Sequence, residues 1–344
     1  TQTLEEIAYA LTDAAAATIP FLSLEGWRIE QIADIIDQNP LLDFSGNDFL
    51  AVVGPGAAIP PEIKARAGIP DVMSNGQPPS LEGFLFPATY QLKPGITPFE
   101  LRDEMLAAFN RNVTDAMLQQ AAAQDLTLYE VVTLASIVEK ETAVPEERPL
   151  IASVFHNRLK QGMRLQSDPT IIYGLVGGKG KLDRGLTKDD VASDTPYNTY
   201  RIDGLPPGPI ANPGKASLEA VLNPPDTGYL YFVADGTGGH AFAKTLEEHN
   251  ANVAKWRAIE SSLPAPATTV ASTVGVEGGL PVPPTPPASP SPRLPRKATT
   301  PCCCWPRRSA RPARSSPTPA TRPARAWSAS SAVATSPTGR STAT

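Results

Sequence analysis

Cysteine is missing from most of this 344-residue chain, and its three cysteines stand together at 302–304. The body of the chain therefore needs neither disulfides nor a thiolate metal site. Long apolar runs are also lacking: no stretch reaches the roughly 18 apolar residues of a membrane-spanning helix, so none is predicted. The start, TQTLEEIAYALTD, has neither the basic nor the apolar region of a signal peptide.

The last 83 residues, 262–344, contain no Ile, Phe, Tyr, Met, Asp, Asn, Gln or His. They hold 17 of the 38 prolines, 10 of the 30 Lys and Arg residues, and one of the 35 Asp and Glu residues. Such a segment cannot bury enough apolar surface to offset the entropy of ordering, so we expect a disordered tail. Its Ala, Pro, Arg, Ser and Thr vocabulary is typical of GC-rich codons read out of frame, and we hypothesise a frameshifted end.

The net charge of −5 averages two unlike parts. Residues 1–261 carry 20 basic and 34 acidic residues, a charge of −14, whereas the tail carries +9. An acidic body lacks the clustered basic face that neutralises phosphates, so no nucleic-acid partner is expected. His156, His240 and His249 are scattered without the spacing of a zinc site, so we expect neither a metal nor another cofactor.

Hydrophobic spacing predicts more helices than strands. Because the strands do not alternate regularly with helices, the pattern favours a helix-rich α+β fold over a doubly wound sheet. A loop-and-short-helix region is expected over 54–80 and a Gly-rich turn over 174–180. Helices are predicted over 3–16, 25–40, 96–113, 114–124, 128–142, 146–161, 215–222 and 244–261, and strands over 19–24, 81–92 and 229–235.

The segment TLYEVVTLASIVEKET (127–142) is the most informative helix. Thr127 and Glu130 have the spacing of a capping box at its start. At about 100° per residue, one apolar stripe should face the core. That stripe contains Val131, Leu134, Ile137 and Val138.

Glu141 falls in the middle of this stripe, whereas Glu139 falls on the opposite side. Burial raises a carboxyl pKa, as a general acid near neutral pH requires. The structural alternative is that Glu141 lies where the stripe meets solvent, or pairs with Arg148 or Arg158. Glu139 and its neighbour Lys140 are expected on a solvated or ion-paired face.

The chain resembles the MltG (YceG-like) endolytic murein transglycosylase family over about residues 1–258. Three long segments carry the resemblance: ASIVEKETAVPEERPLIASVFHNRLKQGMRLQSDPTIIYGL (135–175), YNTYRIDGLPPGPIANPGKASLEAVLNP (197–224) and YLYFVADGTGGHAFAKTLEEHN (229–250). LEGWRIEQIA (24–33) and EGFLFPATY (82–90) match earlier signatures. The resemblance implies that residues 1–20 are the remnant of an N-terminal LysM-like module and that 21–261 form the YceG-like catalytic domain, with a membrane anchor upstream.

The resemblance implies endolytic cleavage of the bond between N-acetylmuramic acid and N-acetylglucosamine without water, leaving 1,6-anhydro ends and possible termination of glycan strand elongation. The second Glu of EKE, Glu141, takes the position of the catalytic acid. The implied partners are peptidoglycan glycan strands and cell-wall synthases, at the outer face of the cytoplasmic membrane of a bacterial envelope.

Other polar residues of the matching motifs are candidates for the same cleft. Asp168 before a proline and Asn198 in YNTY are also typical of caps and turns. One alternative function is a non-catalytic peptidoglycan-binding scaffold, and another is a two-carboxylate hydrolase with Glu139 or Glu147 as the second acid. The substrate-binding candidates are Glu82, Gln166, Asp168, Tyr197 and Asn198, and the supporting candidates are Glu139, Arg148, Asn157 and Arg158.

Overall fold

The computed structural model of the chain describes residue 3, residues 18–180 and residues 182–262. Most of the predicted helix over 3–16 and all but the first residue of the predicted tail lie outside the described residues. The last described helix ends at Ser262, which is the first residue of the predicted tail.

The described residues form many helices and two small sheets, which confirms the helix-rich α+β class. The strands are β1 (Ile19–Leu22), β2 (Thr89–Leu92), β3 (Tyr231–Ala234) and β4 (His240–Ala243). The helices are α1 (Ile29–Asp37), α2 (Gly46–Val53), α3 (Pro61–Ala67), α4 (Pro98–Asn112), α5 (Asp115–Ala122), α6 (Leu128–Glu141), α7 (Arg148–Lys160), α8 (Asp168–Val176), α9 (Lys188–Ala192), α10 (Lys215–Leu222) and α11 (Leu246–Ser262). A 3-10 turn, Pro145–Glu147, leads into α7.

Each sheet is one antiparallel pair of four-residue strands. In the first, Ile19 of β1 lies opposite Leu92 of β2, and the two strands are far apart in sequence. In the second, Tyr231 of β3 lies opposite Ala243 of β4. Ile19, Phe21, Tyr90 and Leu92 of the first pair belong to the main hydrophobic core. The second pair packs against α11.

Helix α6 lies at the centre of the main core. Its capping box forms as predicted, with Thr127 Oγ1 accepting from the Glu130 N–H at 3.2 Å and the Glu130 carboxylate accepting from the Thr127 N–H at 2.8 Å. Every residue over 131–138 is buried, so the predicted stripe is confirmed, but the opposite side of the helix is covered as well. Glu139 Oε1 lies 3.6 Å from Arg148 Nη2, so the ion-paired alternative predicted for Glu139 is confirmed. The solvated alternative is wrong, because α10 and α7 pack against α6 there.

The predicted strand over 81–92 was wrong in its first part, where the chain forms a buried turn before β2. Gly83 has φ +89°, and the side-chain oxygen of Asn212 accepts from the N–H groups of Gly83 and Leu85 at 2.9 and 3.1 Å. A distant amide therefore takes the hydrogen bonds that a neighbouring strand would have made. Strand β4 and helices α2, α8 and α9 were not predicted, because each is too short to show a clear apolar pattern.

Replacing Gly83 by alanine should destabilise the fold strongly. A Cβ there would lie 2.6 Å from Pro209 Cβ and 2.7 Å from Val132 Cγ1, and the backbone conformation is one that L-residues rarely adopt. We expect a loss of more than about 2 kcal/mol in the free energy of unfolding, measured by urea denaturation. The matched control is Gly95→Ala, where φ is +73° but no atom lies within 4 Å, and only about 1 kcal/mol should be lost. Equal losses would contradict this account of the turn.

Candidate active site

Glu141 is the last residue of α6, and its side chain is buried, with 7% of the residue exposed. A buried carboxyl group requires a hydrogen-bonding partner. The Ser167 hydroxyl supplies one, at 2.6 Å from Glu141 Oε1. The structure therefore places the predicted catalytic residue against the loop that leads into α8.

Two threonines fix Ser167 in place. The Ser167 N–H donates to Thr199 Oγ1 at 2.8 Å, and the Thr170 hydroxyl donates to the Ser167 carbonyl at 2.6 Å. The Thr170 and Thr199 hydroxyl oxygens are 2.8 Å apart. All three residues are fully buried, so the loop before α8 and the YNTY segment form one hydrogen-bonded unit beneath Glu141.

Arg158 of α7 holds the preceding part of the loop. Its Nη1 donates to the carbonyls of Arg164 and Leu165 at 3.1 and 2.9 Å and to Gln166 Oε1 at 3.2 Å. Gln166 has φ +54°, which is unusual for a residue other than glycine. The Gln166 side chain is thus bound by the buried guanidinium, and the backbone reverses at this residue so that Ser167 faces Glu141.

Asp168 is the second carboxyl group next to Glu141. Its Oδ1 accepts from the Tyr200 hydroxyl at 2.8 Å. Burial, reinforced by the charge of Glu141, raises the pKa of Asp168 to about 7, while the Tyr200 hydrogen bond acts in the opposite direction. The site therefore pairs two carboxyl groups, of which Asp168 keeps its proton to near neutral pH.

Glu82 is buried beside the N-terminus of α1. Its Oε1 accepts from the Ile29 N–H and from Asn212 Nδ2, each at 3.2 Å. Burial, reinforced by the nearby charge of Glu30, raises the pKa of Glu82 well above its usual range. Glu82 thus ties together α1, the Gly83 turn and the segment around Asn212.

Tyr197 and Asn198 occupy different surroundings although they are adjacent. The Tyr197 ring packs against Tyr173 of α8, with ring centroids 4.8 Å apart, and burial raises its pKa. The Asn198 side chain is fully buried and donates to the carbonyls of Val191 and Ser193 at 3.0 and 2.6 Å. These bonds fix the shape of the loop between Val191 and Asn198.

The supporting candidates make structural contacts. Glu139 Oε2 accepts from the Gly214 N–H at 3.1 Å and from the Ser217 hydroxyl at 2.7 Å, which caps the start of α10. Its other oxygen lies 3.6 Å from Arg148 Nη2. Asn157 donates to the Tyr229 carbonyl at 3.0 Å and so joins α7 to the segment before β3.

Sequence reasoning missed Ser167, Thr199 and Tyr200, which the structure brings to Glu141 and Asp168. Each lies inside a motif, LQSDPT or YNTY, that also contains predicted substrate-binding residues. The two motifs themselves were the only signal in the sequence, because only the fold shows that their residues are hydrogen-bonded to one another. Glu147, the other candidate second acid, instead binds His240, with 2.6 Å between its Oε2 and His240 Nδ1.

A groove of about 530 Å³ lies elsewhere, between α5, α7 and α10. Met117, Arg148 and Lys215 are among its lining residues, whereas Glu141 and Asp168 are not. Because the groove lacks the paired carboxyl groups, we do not assign the chemistry to it. No helix among the described residues combines the length and hydropathy needed to cross a membrane.

Comparison with known proteins identifies the family to which this helix-rich chain belongs. The model of the YceG-like family matches residues 1–255, and the chain belongs to this family. The resemblance seen in the motifs is therefore confirmed.

Named relatives and a solved structure agree with this membership. The endolytic murein transglycosylase of Bacillus subtilis (strain 168) is 43% identical over 180 residues, which are 52% of this chain and 49% of the relative. That of Streptococcus pneumoniae (strain R6) is 38% identical over 253 residues, 70% of this chain and 44% of the relative. The crystal structure of a YceG-like protein from Listeria monocytogenes is similar, with a TM-score of 0.57 and 35% identity over 73% of this chain and 81% of that chain. The chain spans about half the length of the curated relatives it matches.

Replacing Asp168 by asparagine should change how stability depends on pH. The folded carboxyl keeps its proton to about pH 7, whereas the unfolded one loses it near the ordinary value of 3.8. Between these two pH values the folded protein binds more protons than the unfolded protein. The stabilising contribution of the Asp168 carboxyl is therefore complete below about pH 4 and is lost as the pH rises towards 7.

We therefore expect Asp168→Asn to remove part of the decline in the free energy of unfolding between about pH 4 and pH 7. Urea unfolding at a series of pH values measures this, with the exposed Asp226→Asn as the control. If the free energy of unfolding of Asp168→Asn falls with pH as steeply as that of the wild type, the raised pKa of Asp168 is refuted.

Proposed function

We propose that this protein is a lytic transglycosylase that cleaves the bond between N-acetylmuramic acid and N-acetylglucosamine in peptidoglycan. The observation that carries the proposal is the buried Glu141 carboxyl, fixed by Ser167 and next to Asp168. The relatives from Bacillus subtilis and Streptococcus pneumoniae are named endolytic murein transglycosylases, which supports the substrate class.

In the proposed reaction Glu141 first donates its proton to the glycosidic oxygen, and the bond from that oxygen to the anomeric carbon breaks. The Glu141 carboxylate then accepts the proton of the muramic C6 hydroxyl as that oxygen bonds to the anomeric carbon. The products are a 1,6-anhydro end and a free hydroxyl on the leaving sugar. One acid suffices because the nucleophile is already attached to the reacting sugar.

Asp168 has a binding role in this proposal. With its proton retained, its carboxyl group can both donate and accept hydrogen bonds, as an N-acetyl or hydroxyl group of the glycan requires. Glu82, Gln166, Tyr197 and Asn198 remain proposed contributors to the cleft. Their described contacts support a role in shaping it, because Gln166 and Asn198 are bound to other parts of the protein.

A hydrolase that uses Glu139 or Glu147 as a second acid is disfavoured by their contacts. Glu139 caps α10, and Glu147 binds both the backbone N–H and the ring of His240. Each carboxylate would have to leave these partners to act on a water molecule. Hydrolysis would leave reducing ends, whereas the proposed reaction leaves anhydro ends.

The finer parts of the proposal concern where the enzyme acts. We propose cleavage within glycan strands, at the outer face of the cytoplasmic membrane, alongside the synthases that extend the strands. The proposed consequence is termination of strand elongation. The names of the relatives, which specify endolytic activity, support the position of the cut.

Replacing Glu141 by glutamine should abolish the formation of anhydro ends, because an amide cannot donate the acidic proton. The test is digestion of purified peptidoglycan followed by mass spectrometry, with a loss of at least about 100-fold expected. The same chemical change at exposed Glu260 on α11 is the matched control and should leave activity unchanged.

Three other results would overturn parts of the proposal. Equal anhydro products from the wild type and Glu141→Gln would remove Glu141 from the chemistry. Reducing ends in place of anhydro ends would identify a hydrolase. Binding of glycan strands by the wild type without any new ends would instead support the peptidoglycan-binding scaffold.

A further inference from the structure

We infer that Ser167 is a positioning residue that holds Glu141 for proton transfer. This inference rests on the proposed function, since it concerns the same carboxyl group. Ser167 is fully buried, and its hydroxyl lies 2.6 Å from Glu141 Oε1. A separation this short is typical of a hydroxyl that donates to a charged oxygen.

The surrounding hydrogen bonds hold Ser167 itself in one place. Thr170 donates its only hydroxyl proton to the Ser167 carbonyl, so at the contact between the two threonines the donor is Thr199. Thr199 Oγ1 in turn accepts from the Ser167 N–H. Both backbone groups of Ser167 are therefore held by hydroxyl groups, and its side chain is directed to Glu141.

This arrangement has a chemical consequence at the carboxyl group. Once Glu141 has given up its proton, the Ser167 hydroxyl donates to Oε1 and stabilises the carboxylate that the second half of the reaction uses. Ser167 thus favours the charged form of Glu141 without touching the substrate.

The charged groups around Glu141 come from three helices. Asp168 at the start of α8 is the titratable neighbour whose charge interacts with Glu141. On α6 itself, Lys140 donates to the Gly26 carbonyl and Glu139 caps α10. From α7, Arg158 binds the loop carbonyls. Of these groups, Asp168 is the one whose titration must be separated from the effect of Ser167.

The experiment compares pH–rate profiles of Ser167→Ala and wild type on purified peptidoglycan. Losing the donor should lower kcat by about 10- to 100-fold with little change in KM. It should also move the alkaline limb of the kcat profile upwards by about one pH unit, because the protonated acid persists to higher pH. A residue with a purely structural role would lower the rate without moving that limb.

The control is Ser153→Ala on α7, a buried serine whose hydroxyl donates to the Pro225 carbonyl at 2.7 Å. It should leave the alkaline limb in place.

If Ser167→Ala does not fold, the nearly isosteric Ser167→Cys, whose thiol is a weak donor, should move the limb in the same direction by less. In an Asp168→Asn background the shift should persist, because it does not depend on that carboxyl.

The inference is overturned if Ser167→Ala and Ser167→Cys keep the wild-type alkaline limb, whatever their rates. It is distinguishable from failure of the proposed function, which Glu141→Gln tests. An active Glu141→Gln would remove the proposed function, whereas an inactive Glu141→Gln with an unshifted Ser167→Ala would remove only the role of Ser167.

Discussion

The interaction on which the site depends is the hydrogen bond between the Ser167 hydroxyl and the Glu141 carboxyl. Helix α6 is buried along 131–138, and the carboxyl group of its last residue, Glu141, is buried as well. Such a group must be hydrogen bonded or it destabilises the fold. The loop before α8, the YNTY segment and α7 are arranged so that this partner is present. The bond that stabilises the buried Glu141 carboxyl is thus the same bond that would position it in the proposed reaction.

Arg158 connects the loop before Ser167 to a segment farther from Glu141. Its guanidinium, with 2% of the residue exposed, binds carbonyls of the 164–165 segment and, through Nε, the Leu230 carbonyl next to β3 at 2.6 Å. Carbonyl dipoles and the Tyr231 ring, whose centroid lies 5.3 Å away, compensate the buried charge. The reversed backbone at Gln166 is held from the same group. The loop that carries Ser167 is therefore held by Arg158, which also binds Leu230, 72 positions along the chain.

Much of α6 could be predicted from the sequence, because capping and helical periodicity are local properties. The Thr127 capping box, the apolar stripe and the inward position of Glu141 all follow from residues within one helix. The surroundings of Glu139 could not be predicted, since its partners come from α10 through a tertiary contact. The turn at Gly83 was missed for the same reason, because its hydrogen bonds come from Asn212. Ser167 and Thr199 lie 32 residues apart, and only the fold shows that they meet.

The most direct test of the central claim is a crystal structure of the Glu141→Gln variant with a bound peptidoglycan glycan oligomer. The account predicts that a glycosidic oxygen lies within about 3.2 Å of the residue 141 side chain, while the Ser167 hydroxyl keeps its contact with the other side-chain oxygen or nitrogen. Asp168 should lie against the same sugar. A glycan bound instead in the groove lined by Met117, Arg148 and Lys215, with residue 141 out of reach, would contradict it.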